Sequence, residues 1–245
     1  PPADWNGTCE PGEDAGWPAD GCSDKIVGAK AFVDGFRDEY GAIILEPVNP
    51  VDYTDHGTHV SGIAVGREVS LEDDEGNQAE IAGMVPGAHV AAYKVCWDFE
   101  TEDGQEGNGC WSSDSIDAID EALTDGVDVL NYSISGDPTN YEDPVDLAFK
   151  NAAAAGVFVA AAGGNEGEVG GTANHIGPWM TTVAAATHRG EDAPSIAPFS
   201  NPGPVDVPAA EQTVLTPDLG APGVDVLSAI SPRDGKDALA YFPGT

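Results

Sequence analysis

Two apolar runs that start 30 residues apart, Val127-Asp128-Val129-Leu130 and Val157-Phe158-Val159-Ala160, constrain this chain most. Between them Asp143-Pro144 supplies a helix cap followed by proline in the first turn, and the apolar stretch 147–155 runs on to Gly156. That is the size of one strand–helix–strand unit. The runs are continuous rather than alternating, as in strands buried on both faces. The same rhythm extends outward. Residues 89–96 read as a buried strand, and Ser112 or Ser113 can cap a helix whose Ile116, Ile119 and Leu123 share one face, with Gly126 just past its end. Residues 181–187 and 224–230 supply two more strands, 26–33 a short one, and the compact stretch from His56 suits a buried helix. Residues 1–25, 34–55, 67–80 and 97–111 read as irregular or acidic loops. The expectation is an α/β chain with a mainly parallel central sheet and helices on both faces, in one domain spanning residues 1–245. Polar residues just beyond the carboxyl ends of such strands are where ligands bind.

Charge removes several function classes. The chain carries 43 acidic and 9 basic residues, a net charge of −34. Phosphate binding needs basic patches, so nucleic acid is not expected as a partner, and an anionic membrane surface would repel the chain. Such acidity gives a strongly solvated surface that resists association, or suits a saline medium that screens the repulsion; a monomer is expected. Cys9 with Cys22 and Cys96 with Cys110 form two local pairs without CxxC spacing or a nearby histidine pair, so zinc is not expected. Two short-loop disulfides fit an extracellular protein; four free buried thiols are the alternative. The acidic groups 72–75 and 100–103 could bind calcium, though solvated loops account for them as well.

Three segments could carry chemistry. In Asp55-His56-Gly57-Thr58-His59-Val60-Ser61-Gly62, two histidines stand three apart at a helix start. Free N–H groups there can hold an imidazole rigidly, and an imidazole suits general-base work. For a generic pair the alternatives are packing or metal binding, but the HExxH spacing of a zinc helix is absent. Ala161-Ala162-Gly163-Gly164-Asn165-Glu166-Gly167 ends a strand with two residues that permit close backbone approach and a side-chain amide that could stabilise an oxyanion. A plain left-handed turn is the alternative. Asn131-Tyr132-Ser133-Ile134-Ser135-Gly136 ends another strand with small polar residues.

Read whole, these segments resemble the subtilisin-like serine peptidases, or subtilases. Residues 56–62 resemble their histidine motif, which implies His56 as general base and His59 as a structural residue. Residues 161–167 resemble the segment whose Asn forms part of the oxyanion hole, which implies that role for Asn165. Residues 131–136 resemble the N-x-S-L-G-G segment that pairs with the substrate backbone and walls the P1 pocket; Ser135 stands where Gly is usual. Ser133, Ile134, Ser135 and Gly136, with Ala162, Gly163 and Gly164, are thus expected to bind substrate. Trp5-Asn6-Gly7-Thr8-Cys9, Lys25-Ile26-Val27-Gly28-Ala29-Lys30-Ala31-Phe32, Pro178-Trp179-Met180 and Thr216-Pro217-Asp218-Leu219-Gly220-Ala221-Pro222-Gly223 point to the plant cucumisin-like branch and its bacterial relatives.

The resemblance implies a three-layer subtilisin-like fold and a secreted endopeptidase acting on extended protein substrates through a Ser-His-Asp triad. No cofactor is required. Structural calcium is common in the family, but no family site can be matched here. The triad Asp is expected upstream of Pro1, and the Ser just beyond Thr245, so residues 1–245 would be an incomplete catalytic domain. Asp14-Ala15-Gly16 imitates the Asp motif but falls between Cys9 and Cys22, where the family has a loop. A protease-associated insertion is not expected, since only 188–198 separate Thr187 from Phe199. The alternative is a non-catalytic peptide-binding module of the same fold.

Overall fold

The computed structural model describes every residue except 19–20, 41–42, 73–77, 139, 141, 168–169, 189–192, 208–209 and 232–238. The amino-terminal part runs β1 (Ile26–Ala31), α1 (Asp34–Tyr40), β2 (Ile43–Ile44), α2 (His56–Val65), β3 (Val69–Glu72), β4 (Gln78–Ile81), β5 (Val90–Lys94), β6 (Cys96–Glu100) and β7 (Glu106–Cys110). Then come α3 (Ser112–Asp125), β8 (Val129–Tyr132), α4 (Pro144–Ala154), β9 (Phe158–Ala162) and β10 (Thr181–Ala186). The chain closes with β11 (Val205–Val207), β12 (Gln212–Val214), β13 (Leu219–Pro222), β14 (Val226–Ala229) and β15 (Leu239–Phe242).

The central sheet has the order β13-β10-β9-β8, and every pairing in it is parallel. β8-α4-β9 is the unit that the two apolar runs announce. Asp143 caps α4 by accepting from the Val145 and Asp146 N–H groups at 2.9 and 3.2 Å, with Pro144 in the first turn. Gly126 ends α3 in the left-handed conformation, φ 91°. Ile119, Phe149, Val157, Val159 and Met180 form the main core, with Ile116, Leu123 and Leu130 packed against it. A second parallel pair, β1-β5, stands apart from this ladder. It is tied to α3 by charge: Lys30 is 7% exposed and meets Glu121 and Asp125, and Tyr93 donates to Asp125 at 2.8 Å.

Several expectations need correction. Residues 34–55 contain α1, seated where the buried Asp114 accepts from the Gly35 and Phe36 N–H groups at 2.8 and 3.0 Å. The stretch 97–111 holds the β6-β7 hairpin, in which Cys96 sits opposite Cys110 and the two are joined; Cys9 is likewise joined to Cys22. Trp97 in this hairpin is fully buried and packs with Val33, Phe36 and Val48. Part of 67–80 is the β3-β4 hairpin. The strand at 226–229 is not in the parallel sheet; it pairs antiparallel with β15, and β13 takes the sheet position beside β10. Neither Ser112 nor Ser113 caps α3, whose cap position is Trp111. The acidic group 72–75 lies largely outside the described residues.

Candidate active site

β8 and β9 are hydrogen-bonded neighbours running in the same direction, so the segments following them emerge side by side at one rim of the sheet. After β8, residues 133–136 turn along that rim. After β9, Gly163 and Gly164 reverse the chain, the latter at φ 101°, where a side chain would also strike Asn201. The two segments are cross-linked. Gly136 N–H donates to Asn174 Oδ1 at 3.3 Å, Asn174 N–H donates to Gly163 O at 3.0 Å, and Ser135 Oγ reaches Glu166 Oε1 at 3.5 Å.

Asn201 holds the 163–167 turn in shape. It is 1% exposed; its Oδ1 accepts from Glu166 and Gly167 N–H at 2.7 and 3.1 Å, and its Nδ2 donates to Thr172 O at 2.8 Å and to Glu166. No local motif marks Asn201 for this role, because its partners Glu166, Gly167 and Thr172 lie 29 to 35 residues away in the chain. Asn165, by contrast, is exposed at the tip. Its Oδ1 accepts from Thr245 N–H and Oγ at 3.1 and 3.2 Å, while its Nδ2 has no hydrogen-bond partner among the described residues. The carbonyl end of this amide is anchored, and the donor end bonds none of the described residues.

His56 begins α2, the residue before it being Asp55 at φ 70°. The Asp55 side chain makes no cap bond within the helix; it accepts from Ser231 N–H at 3.1 Å instead. Asp52 does the capping. Its Oδ2 accepts from Thr58 N–H at 2.7 Å, and its Oδ1 from Thr54 and Asp55 N–H at 3.0 and 2.9 Å. Burial pushes the Asp52 carboxyl up, but the bonds from Thr58 and Thr54 prevail and hold it below the usual carboxylate value. His56 keeps an exposed face. Desolvation of its remainder lowers its pKa below the ordinary imidazole value; Asp52 works against this and His59 with it.

Residues 34–245 match the family profile described as the Subtilase family. The chain belongs to the subtilase family. It is 37% identical over 193 residues to subtilisin-like protease SBT1.2 of Arabidopsis thaliana, an alignment covering 76% of this chain and 24% of that protein. It is 38% identical over 253 residues to SBT3.3 of the same plant, covering 99% of this chain and 31% of that one. The subtilase chain therefore spans about a quarter to a third of the length of these relatives. Among solved structures, Sphericase matches with a TM-score of 0.58 and 22% identity over 88% of this chain and 69% of that one, a likeness of fold. S41 Psychrophilic Protease matches with a TM-score of 0.57 and 25% identity over 81% of this chain and 60% of that one. The parallel sheet flanked by α3 and α4 is thus a subtilisin-like α/β fold.

Within this subtilase, His59 is packed inward: 3% exposed, stacked on Phe242 at 4.6 Å, with Nε2 near Val226 O and Ala240 O at 3.0 and 3.1 Å. The β14-β15 hairpin that holds His59 continues to Thr245 beside Asn165. One short stretch of chain thus touches both the helix of His56 and the tip of the 163–167 turn. Asp14 accepts from Val48 N–H at 2.9 Å, a loop cap. No group of three metal-ligating side chains is present among the described residues, 100–103 included.

Proposed function

We propose that this chain is the greater part of the catalytic domain of a secreted serine endopeptidase that cleaves extended polypeptides. The observation carrying the reading is Asn165: an amide with its carbonyl held by Thr245 and its N–H₂ open, at the rim where 133–136 and 163–167 meet. An open donor on a rigid turn is what a developing oxyanion needs, because it does not have to reorganise during reaction. In this reading a Ser following Thr245 attacks the scissile carbonyl, His56 takes its proton and returns it to the leaving amine, and Asn165 Nδ2 donates to the oxyanion. Residues 133–136 and 162–164 align the substrate backbone as an added strand.

The orienting Asp is supplied by chain outside residues 1–245. The interrupted ladder favours this: β5 and β8 are joined by α3 in the right order for one sheet, yet they share no pairing. A strand between them would complete a single parallel sheet. The two disulfides favour an oxidising, extracellular setting. Expressed in full length, the protein is expected to hydrolyse casein, to be blocked by a serine-directed sulfonyl fluoride, and to lose hydrolysis in His56→Ala. Hydrolysis that survives His56→Ala overturns the assignment of the base.

A further inference from the structure

Among the buried pairs of titratable groups that the mechanism above leaves unused, His175 and Asp146 lie deepest among the described residues. Each side chain is 1% exposed, and His175 Nδ1 lies 2.6 Å from Asp146 Oδ1. The other ring nitrogen, Nε2, lies 2.8 Å from the carbonyl of Ile134. Gly136 packs directly on the ring: a Cβ there would fall 2.6 Å from His175 Cε1. His175 itself holds φ 51°, a strained value for a residue with a side chain, and Thr182 Oγ fixes its carbonyl at 2.6 Å. Strain kept by so many constraints marks a position with work to do. The imidazole therefore supports the segment 134–136 from beneath, through a carbonyl bond at one end and ring contact at the other.

We propose that His175, oriented by Asp146, is a positioning residue that sets the substrate-binding segment 134–136 through one proton held between the two side chains. This rests on the reading of 133–136 as substrate-binding.

The proton follows from bond chemistry. A carbonyl only accepts, so Nε2 must carry a hydrogen to bond Ile134 O. Nδ1 then either carries a second hydrogen and faces a carboxylate, or accepts one from a neutral carboxyl. Both forms hold a single bridging proton. Once it leaves, a lone pair and a carboxylate face each other without water, and Asp146 Oδ2, which has no hydrogen-bond partner among the described residues, offers no relief. The groups around the pair sharpen this. Asp143 at the head of α4 and Asp137 in the following rim are acidic, Tyr132 and Phe149 present aromatic edges, and Trp179 donates only to the Asp146 backbone carbonyl at 2.7 Å. Burial pushes Asp146 up despite His175; burial lowers His175, but Asp146 and the Ile134 carbonyl outweigh it and raise it. Both directions favour the form that holds the bridging proton, so its loss is moved upward from the ordinary imidazole value.

The test reads KM and kcat against pH in the full-length enzyme, with imidazole NMR on the same full-length protein. Wild-type KM for a peptide substrate is expected to rise from neutral to alkaline pH while kcat changes less. His175→Ala should raise KM roughly tenfold at neutral pH, the scale of a lost buried hydrogen bond. His175→Gln keeps a donor for Ile134 and should recover most of that loss with a flat alkaline profile. Asp146→Asn, whose amide can donate to a neutral ring, should likewise remove the alkaline rise. An unchanged KM in His175→Ala, or an alkaline rise that persists in both conservative variants, overturns the proposal. In the NMR arm, the amide signals of Ser135 and Gly136 should move with the same midpoint as the His175 ring nitrogens; a ring titrating while those amides stay still also overturns it. If the full-length protein cleaves nothing, the peptidase reading fails, and this NMR arm still decides the pair.

Discussion

The head of α2 is held by carboxylate side chains, whereas the turn after β9 is held by a buried amide. Asp52 and Asp55 secure the residues around His56 from a partly solvated position. Asn201 secures the residues around Asn165 from inside the protein, with no ionisable group in its first contacts except Glu166. The difference matters because the two supports fail differently. A carboxylate cap weakens when protonated, while an amide does not titrate and fails only when it is removed. In the proposed reading His56 is the general base, and its pKa is moved first by desolvation, with the Asp52 carboxylate opposing that shift. An oxyanion donor gains from a support indifferent to pH.

That contrast can be broken in several ways. The largest effect is expected from Asn201→Ala, which removes the acceptor of the Glu166 N–H and leaves the Gly167 N–H only Phe199 O; it should cost about 2 kcal/mol in denaturant unfolding. A cost within experimental error would mean that the turn does not depend on Asn201. Asp52→Ala removes the cap of α2 and should cost roughly 1 kcal/mol at neutral pH. Because the folded carboxyl lies below its unfolded value, its contribution is complete above roughly pH 4 and is lost as pH falls through the folded pKa. The gap between wild type and Asp52→Ala should therefore close in acid, and that between wild type and Asn201→Ala should not. The smallest stability effect is expected for Asn165→Ala, under about 0.5 kcal/mol, since its side chain is exposed. Its effect on kcat should instead be large, roughly 100- to 1,000-fold, a magnitude carried over from subtilisin itself. A variant that unfolds readily but keeps its kcat would invert the roles given to Asn165 and Asn201.

Much of this was legible in the sequence. The β8-α4-β9 unit follows from two apolar runs and an Asp-Pro cap, because each signal is local and agrees with the others. The motifs around His56 and Asn165 are long enough to carry the family resemblance, and the roles of the two residues are proposed from it. The hairpin β6-β7 was hidden by its acidic loop, although the alternation Trp97-Asp98-Phe99-Glu100 carries a strand period. The placement of β14 was not local at all. Residues 219–222 and 226–229 are both apolar enough for the parallel sheet, and only packing beside β10 or on α2 separates them. Asn201 and His175 were missed for a similar reason. A buried polar residue earns its role from partners far along the chain, here Thr172 and Glu166 for one and Ile134 and Asp146 for the other.

The most direct test of the central claim is to label the full-length protein with a peptidyl chloromethyl ketone and locate the adduct by mass spectrometry. An affinity reagent held along 133–136 delivers its alkylating carbon to the general base, so the label should sit on His56 and be lost when excess peptide substrate competes. Labelling at His59, His89, His175 or His188 instead, or labelling of His56 that substrate does not suppress, would contradict the proposed role of His56 as the general base.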